Sequence, residues 1–252
     1  MTRLISGLLL AALGFFVVLY GSIPFYAILI FVAIYGCYEI TLVLDKNFKS
    51  LLYLSMLGFI IAIFFVNQRS TGIILFFVAV LFFLAVVNEN ISLYDISVSF
   101  LLSVVLAFAI HGASTLRNIN PWIIIYLAFA SLVSDIGAYY TGRALGKHKL
   151  NERVSPNKTI EGAIGGWLAG FIASLLLAYY FKFFGYPIWF MVLSSLILPA
   201  ISELGDLSFS LIKRNYNVKD FSNLIPGHGG LLDRIDSLLL CLILFSSMVS
   251  FL

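Results

Sequence analysis

The sequence predicts an all-α, polytopic membrane protein with about nine transmembrane helices. Of its 252 residues 62% are hydrophobic, and the mean hydropathy of +1.06 lies far above that of soluble domains. Apolar runs of about 17 to 25 residues, the length a helix needs to cross a bilayer, recur along the whole chain. No alternating segments of barrel type, about ten residues each, are present, so strands are not expected.

The spans follow in order. Met1, Thr2 and Arg3 precede an apolar run at about 4–20 that has the look of a signal peptide. No small-x-small cleavage site follows it and further spans come at once, so an uncleaved first span is expected. Runs at about 23–44, 50–66, 71–87 and 94–115 complete the first half, and their abundant Phe and Tyr are core and lipid-facing bulk. The later spans, at about 121–141, 160–181, 187–212 and 231–252, carry carboxylates: Asp135, then Glu161, then Glu203 with Asp206, then Asp233 with Asp236. Pro24, Pro121 and Pro187 fall near predicted helix starts, where a missing N–H costs little. Cys37 and Cys241 sit inside apolar segments and read as small buried hydrophobes. No composition shift marks a linker, so residues 1–252 form one integral domain. Within it 1–120 is generic helix and 130–240 holds the polar function.

Lys and Arg set the orientation. With nine spans, twelve of the 15 basic residues fall on the side of the amino terminus: Arg3, Lys46, Lys49, Arg143, Lys147, Lys149, Arg153, Lys158, Lys213, Arg214, Lys219 and Arg234. Only Arg69, Arg117 and Lys182 fall on the other. Positive residues favour the cytoplasm, so the amino terminus is expected inside and the carboxyl terminus outside.

With only 11% charged residues overall, the chain still packs seven charged side chains and one histidine between Ser210 and Asp236. A polar, multiply charged ligand explains that density, and a phosphate compound fits it. Each ionised group at bilayer depth costs roughly 2.5–3.5 kcal/mol, so Asp135, Glu203, Asp206, Asp233 and Asp236 need partners, a metal or a wet cavity. Ser202, Asp206, Ser210 and Lys213 share one helix face, and Asp233 and Asp236 share another. Pro199 interrupts the ladder one turn before Ser202. Two such helices joined by a basic loop are able to hold Mg²⁺ through one or two carboxylates plus phosphate oxygens. Structural ion pairs and an ion relay use the same carboxylates and stay open as readings. Pro226 to Gly230 encloses His228 in glycines, which reads either as a phosphate nest or as a plain turn.

A second polar block runs from Ser134 to Gly162. Thr159 or Ser155 is placed to cap the helix that follows, and Glu161 complements its dipole. Gly162, Gly166 and Gly170 recur every fourth residue and read as close helix packing. Gly142 and Gly146 with Lys147 are too short and misplaced for a nucleotide P-loop.

These residues resemble a known signature. The 27-residue segment Ser210–Asp236, S-x-x-K-R-x4-K-D-x-S-x2-I-P-x-H-G-G-x2-D-R-x-D, is similar to that of the phosphatidate cytidylyltransferases. Ser155 to Gly166 and Ser134 to Arg143 look like further segments of that family, so the match covers roughly 130–240. The resemblance implies an inner-membrane enzyme that joins CTP and phosphatidic acid into CDP-diacylglycerol, releases pyrophosphate and needs Mg²⁺. It assigns Asp206 and Asp233 to the metal. Lys213, Arg214, Lys219, His228, Gly229, Gly230 and Arg234 go to the nucleotide and phosphate site, and Ser155, Lys158 and Glu161 to the neighbouring cytoplasmic loop. The converging carboxylates leave room for a second cation. A homodimer is implied; nucleic acid is not an expected partner.

The expected reaction is in-line attack of the lipid phosphate on the α-phosphorus of CTP, which needs positioning and charge neutralisation rather than a protein nucleophile. Loss of Asp206 or Asp233 is then expected to abolish turnover in a folded chain. Rivals are another CTP-dependent lipid enzyme, either an isoprenoid-phosphate cytidylyltransferase or a lipid kinase, and a transporter of a phosphorylated solute.

Overall fold

A computed structural model describes residues 14–19, 22–44, 49–65, 70–89, 91–224 and 229–252. The described residues hold nine α-helical stretches; the last eight each fall within a few residues of a predicted span, and most of the predicted span at 4–20 lies outside the described residues. Helix α1 is seen over 14–19. It is followed by α2 (Ser22–Val43), α3 (Lys49–Phe65), α4 (Ser70–Val87), α5 (Leu93–Ile119), α6 (Pro121–Leu145), α7 (Ile160–Tyr180), α8 (Ile188–Asn215) and α9 (Leu232–Ser250). Helices α2, α5, α6, α7 and α8 are long and apolar enough to cross a bilayer by length and composition, while α3 and α4 are shorter apolar helices. Helix α9 places Asp233, Arg234 and Asp236 in its opening turns.

One expectation is corrected. A two-stranded antiparallel hairpin, β1 (Lys149–Asn151) and β2 (Ser155–Thr159), joins α6 to α7. Its turn is held by the Val154 amide, which donates to Asn151 Oδ1 at 3.2 Å. Hairpins of this length form from local turn chemistry and need no barrel period.

Local signals explain the helix boundaries. Ser92 and Asp95 form a reciprocal capping box at the start of α5. Pro121 occupies the first turn of α6, with Asn120 as its cap. Thr159 caps α7 by accepting from the Gly162 amide at 3.1 Å, so of the two predicted caps Thr159 fills the role. Ser155 instead opens β2. Pro199 lies inside α8, and a side-chain carbon added at Gly170 would stand 2.9 Å from its ring, so α7 and α8 approach there through a glycine.

The core lies where α5, α6, α8 and α9 meet. Tyr126, Phe190 and Phe245 are fully buried and pack ring against ring. A run of hydroxyls also crosses this interior: Ser202 donates to Ser131 at 2.8 Å, and Ser131 to Ser237 at 2.9 Å. Three helices are tied by side chains that satisfy one another, as buried polar groups must be.

Candidate active site

Glycine brings α6 and α7 together and so builds the first wall of the site. A side-chain carbon added at Gly166 would stand 2.6 Å from the Ser134 carbonyl oxygen, and one at Gly162 would stand 2.9 Å from that of Ala138. Neither position admits a larger residue without separating the helices. The close approach lines Asp135, Ala138, Tyr139, Gly142 and Arg143 of α6 against Gly162 and Ala163 of α7. Asn157, Lys158 and Thr159 of the hairpin cover one end, and Glu203 and Asp206 of α8 close the far side. The resulting open cavity measures about 460 Å³.

Its electrostatics centre on Lys158. The ammonium lies 2.8 Å from Glu203 Oε1 and 2.5 Å from Asp206 Oδ2. Burial on its own would lower the Lys158 pKa, but the Asp206 and Glu203 carboxylates outweigh it and raise the pKa above the ordinary lysine value. Glu203 Oε2 is buried and accepts no hydrogen bond. Buried carboxylate oxygens rarely lack a donor, so this one marks a place suited to a cation or to a ligand's donor. Among the described residues no three His, Cys, Asp or Glu side chains are gathered as a metal cage. Mg²⁺ seldom uses one; it is bound by one or two carboxylates together with substrate phosphates and water, so Glu203 and Asp206 fit such an ion.

Asp233 is held elsewhere. Its Oδ1 accepts from Lys213 Nζ at 2.6 Å, and its Oδ2 accepts from the amides of Phe221 and Gly230 at 2.9 Å each. Its side chain is only 3% exposed. The Lys213 ammonium also lies 5.6 Å from the centre of the Phe221 ring. Asp233 therefore fastens the loop between α8 and α9 at both ends. Asp206 lines the cavity and Asp233 does not. Asp236, buried one turn later, accepts from the Ser237 amide at 2.8 Å.

The other predicted residues are distributed around these two clusters. Gly229 has φ +82, which an L side chain rarely adopts, and the Gly230 amide is committed to Asp233. Arg214 donates from Nε to the Val154 carbonyl at 3.4 Å and from Nη1 to that of Val218 at 3.1 Å, bracing the end of α8 against the hairpin turn. Glu161 accepts from the amides of Lys147 at 3.0 Å and His148 at 3.2 Å and meets His148 Nδ1 at 2.6 Å, which closes the α6–β1 corner. Lys219 and Arg234 are exposed and Ser155 is half-buried. His228 lies outside the described residues. Two cavity residues carry more than their sequence signal announced: Glu203, three residues before Asp206, and Arg143 on the last turn of α6. Their register on the helices was available; the pairing of Glu203 with Lys158 of the hairpin was not.

Comparison with known proteins follows the same lines. The model of the cytidylyltransferase family matches residues 1–252. A phosphatidate cytidylyltransferase of Staphylococcus haemolyticus (strain JCSC1435) is 45% identical over 120 residues, 46% of each chain. That of Bacillus subtilis (strain 168) is 39% identical over 142 residues, 54% of this chain and 51% of the relative. That of Staphylococcus aureus (strain COL) is 44% identical over 120 residues, again 46% of each. The chain spans about half the length of the curated relatives it matches.

Proposed function

The chain belongs to the cytidylyltransferase family, and we propose that within it the chain is a Mg²⁺-dependent phosphatidate cytidylyltransferase, transferring CMP from CTP to phosphatidic acid. The observation that carries the reading is the α6–α7–α8 cavity. Asp135, Glu203 and Asp206 line it, the last two paired with Lys158, while its wall includes Tyr139, a side chain 60% exposed on the helix surface. A charged hollow bounded by apolar helices suits a headgroup phosphate whose acyl chains stay among those helices.

In the proposed reaction a phosphatidate oxygen attacks the α-phosphorus of CTP, a new P–O bond forms, and the bond to the bridging oxygen breaks to release pyrophosphate. Phosphatidate is already ionised at neutral pH, so no general base is required of the protein. Asp206 is the proposed metal carboxylate, with Glu203 Oε2 placed to join it; Asp233, which the resemblance assigns to the metal, is committed to Lys213 and two amides and is proposed instead to position the loop, and a second cation is compatible with the set. Bound Mg²⁺ would supply charge neutralisation at the phosphate oxygens. Lys158 holds the acidic cluster together and presents its charge to the cavity. Lys219, Arg234 and His228 are proposed to take up charge on pyrophosphate; Lys213 and Arg214 hold the loop that carries them. Ser155 and Glu161 shape the hairpin, and Gly229 and Gly230 let its partner loop approach.

The inner membrane, a cytoplasmic active site and amino terminus, an outside carboxyl terminus and a homodimer complete the proposal. The purified chain, given CTP labelled at the α-phosphate, phosphatidic acid and Mg²⁺, should yield labelled lipid and unlabelled pyrophosphate. Labelled CDP with a newly phosphorylated lipid would replace this reading with a lipid kinase.

A further inference from the structure

We propose that Glu39 of α2 is a positioning residue for the catalytic loop, fixing the Gly229–Gly230 turn and the first turn of α9 on which Asp233 sits. The catalytic part of the claim rests on the cytidylyltransferase reading above.

The argument starts from the end of a helix. The opening amides of any helix lack partners, and a nearby Ser, Thr, Asp or Asn normally supplies one. Helix α9 has Leu231 at that position and no side-chain cap of its own. Glu39 supplies the acceptors from 192 residues away: its Oε1 accepts from the Leu231 amide at 2.7 Å and its Oε2 from the Leu232 amide at 2.7 Å. Oε1 also accepts from Ser222 Oγ at 2.6 Å, so the same carboxylate reaches the other arm of the loop. Its negative charge lies at the positive end of the α9 dipole.

Two further features fit only this role. Glu39 is 0% exposed in an otherwise apolar helix, where an ionised group without a purpose is costly. Gly230 would, with a side-chain carbon, place it 2.6 Å from Glu39 Oε1. The glycine thus leaves room for the carboxylate to approach this closely. Asp233 grips the same turn through the Gly230 and Phe221 amides. Glu39 from α2 and Asp233 from α9 therefore hold the loop from opposite sides.

The test uses the full chain in detergent or nanodiscs. In Glu39→Gln the volume is kept but one oxygen becomes a donor facing a donor. Amide hydrogen exchange at Leu231 and Leu232 should rise about tenfold or more, with α5 and α6 unchanged, as expected for losing hydrogen bonds to a charged group. The KM for CTP should rise by about tenfold while that for phosphatidic acid stays put. Wild-type exchange at these amides in E39Q overturns the cap. A fall in kcat with both KM values unchanged reduces Glu39 to a fold residue and overturns the positioning role. If E39A fails to fold, E39Q and Ser222→Ala carry the same readouts. Should the wild type make no lipid product, the exchange comparison still reads the cap by itself, so the two failures are told apart.

Discussion

Asp206 and Asp233 carry the same charge in opposite surroundings, and their variants should separate accordingly. Asp206 faces the cavity and Lys158, and among the described residues its other donor is the Ser210 hydroxyl rather than a backbone amide. Asp206→Asn should leave the unfolding midpoint unchanged and cut turnover by about a hundredfold or more, the scale of losing one preorganised charge contact. Full Mg²⁺-dependent turnover in D206N would sink the metal assignment. Asp233 is different, because it satisfies a buried Lys213 and two amides. Asp233→Ala leaves that ammonium alone in the interior, which costs about 3–5 kcal/mol. A lowered midpoint alongside lost turnover is expected, and thermal unfolding in detergent measures it. The expectation of a folded chain after either loss treated the two carboxylates alike. Their spacing on α8 and α9 was readable in the sequence, but the amide donors to Asp233, from Phe221 and Gly230, come from a loop with no period, and no pattern announces them.

Helices and loops differ in legibility for the same reason. Apolar runs long enough to span a bilayer mark α2 and α5 to α8, shorter apolar runs mark α3 and α4, and Gly162, Gly166 and Gly170 on one face announce a close neighbour. The β1–β2 hairpin was not legible, since strands of three and five residues carry too few side chains for an alternation to register. The glycine face gives a sharp prediction. Gly166 lies against the Ser134 carbonyl and the Ala138 side chain. Gly166→Leu should push α6 from α7, carry Asp135 away from the rest of the cavity lining, and lower stability and turnover together. Overpacking of this kind typically costs about 1–3 kcal/mol. A variant with normal midpoint and normal rate would show that the interface yields. Thr159→Ala, which removes only the α7 cap, should cost about 1 kcal/mol.

Taken as one object, the molecule concentrates charge toward the end where the hairpin and the α8–α9 loop lie. That asymmetry predicts sidedness. Native Cys37 and Cys241 are both 0% exposed, so single cysteines introduced elsewhere report against a quiet background. In intact cells a membrane-impermeant thiol reagent should label Phe251→Cys, while Lys147→Cys should react only after the membrane is opened. The reverse pattern would invert the orientation. The general architecture was legible because the bilayer sets strict lengths; contacts between distant helices were not, Glu39 above all. Its carboxylate waits for amides 192 and 193 residues further on. A ribosome needs roughly 10–40 s to cover that distance at 5–20 residues per second. During biogenesis α2 therefore emerges with an acidic side chain whose companions do not yet exist, and α2 can settle into its final seat only when the last helix has been threaded into the membrane.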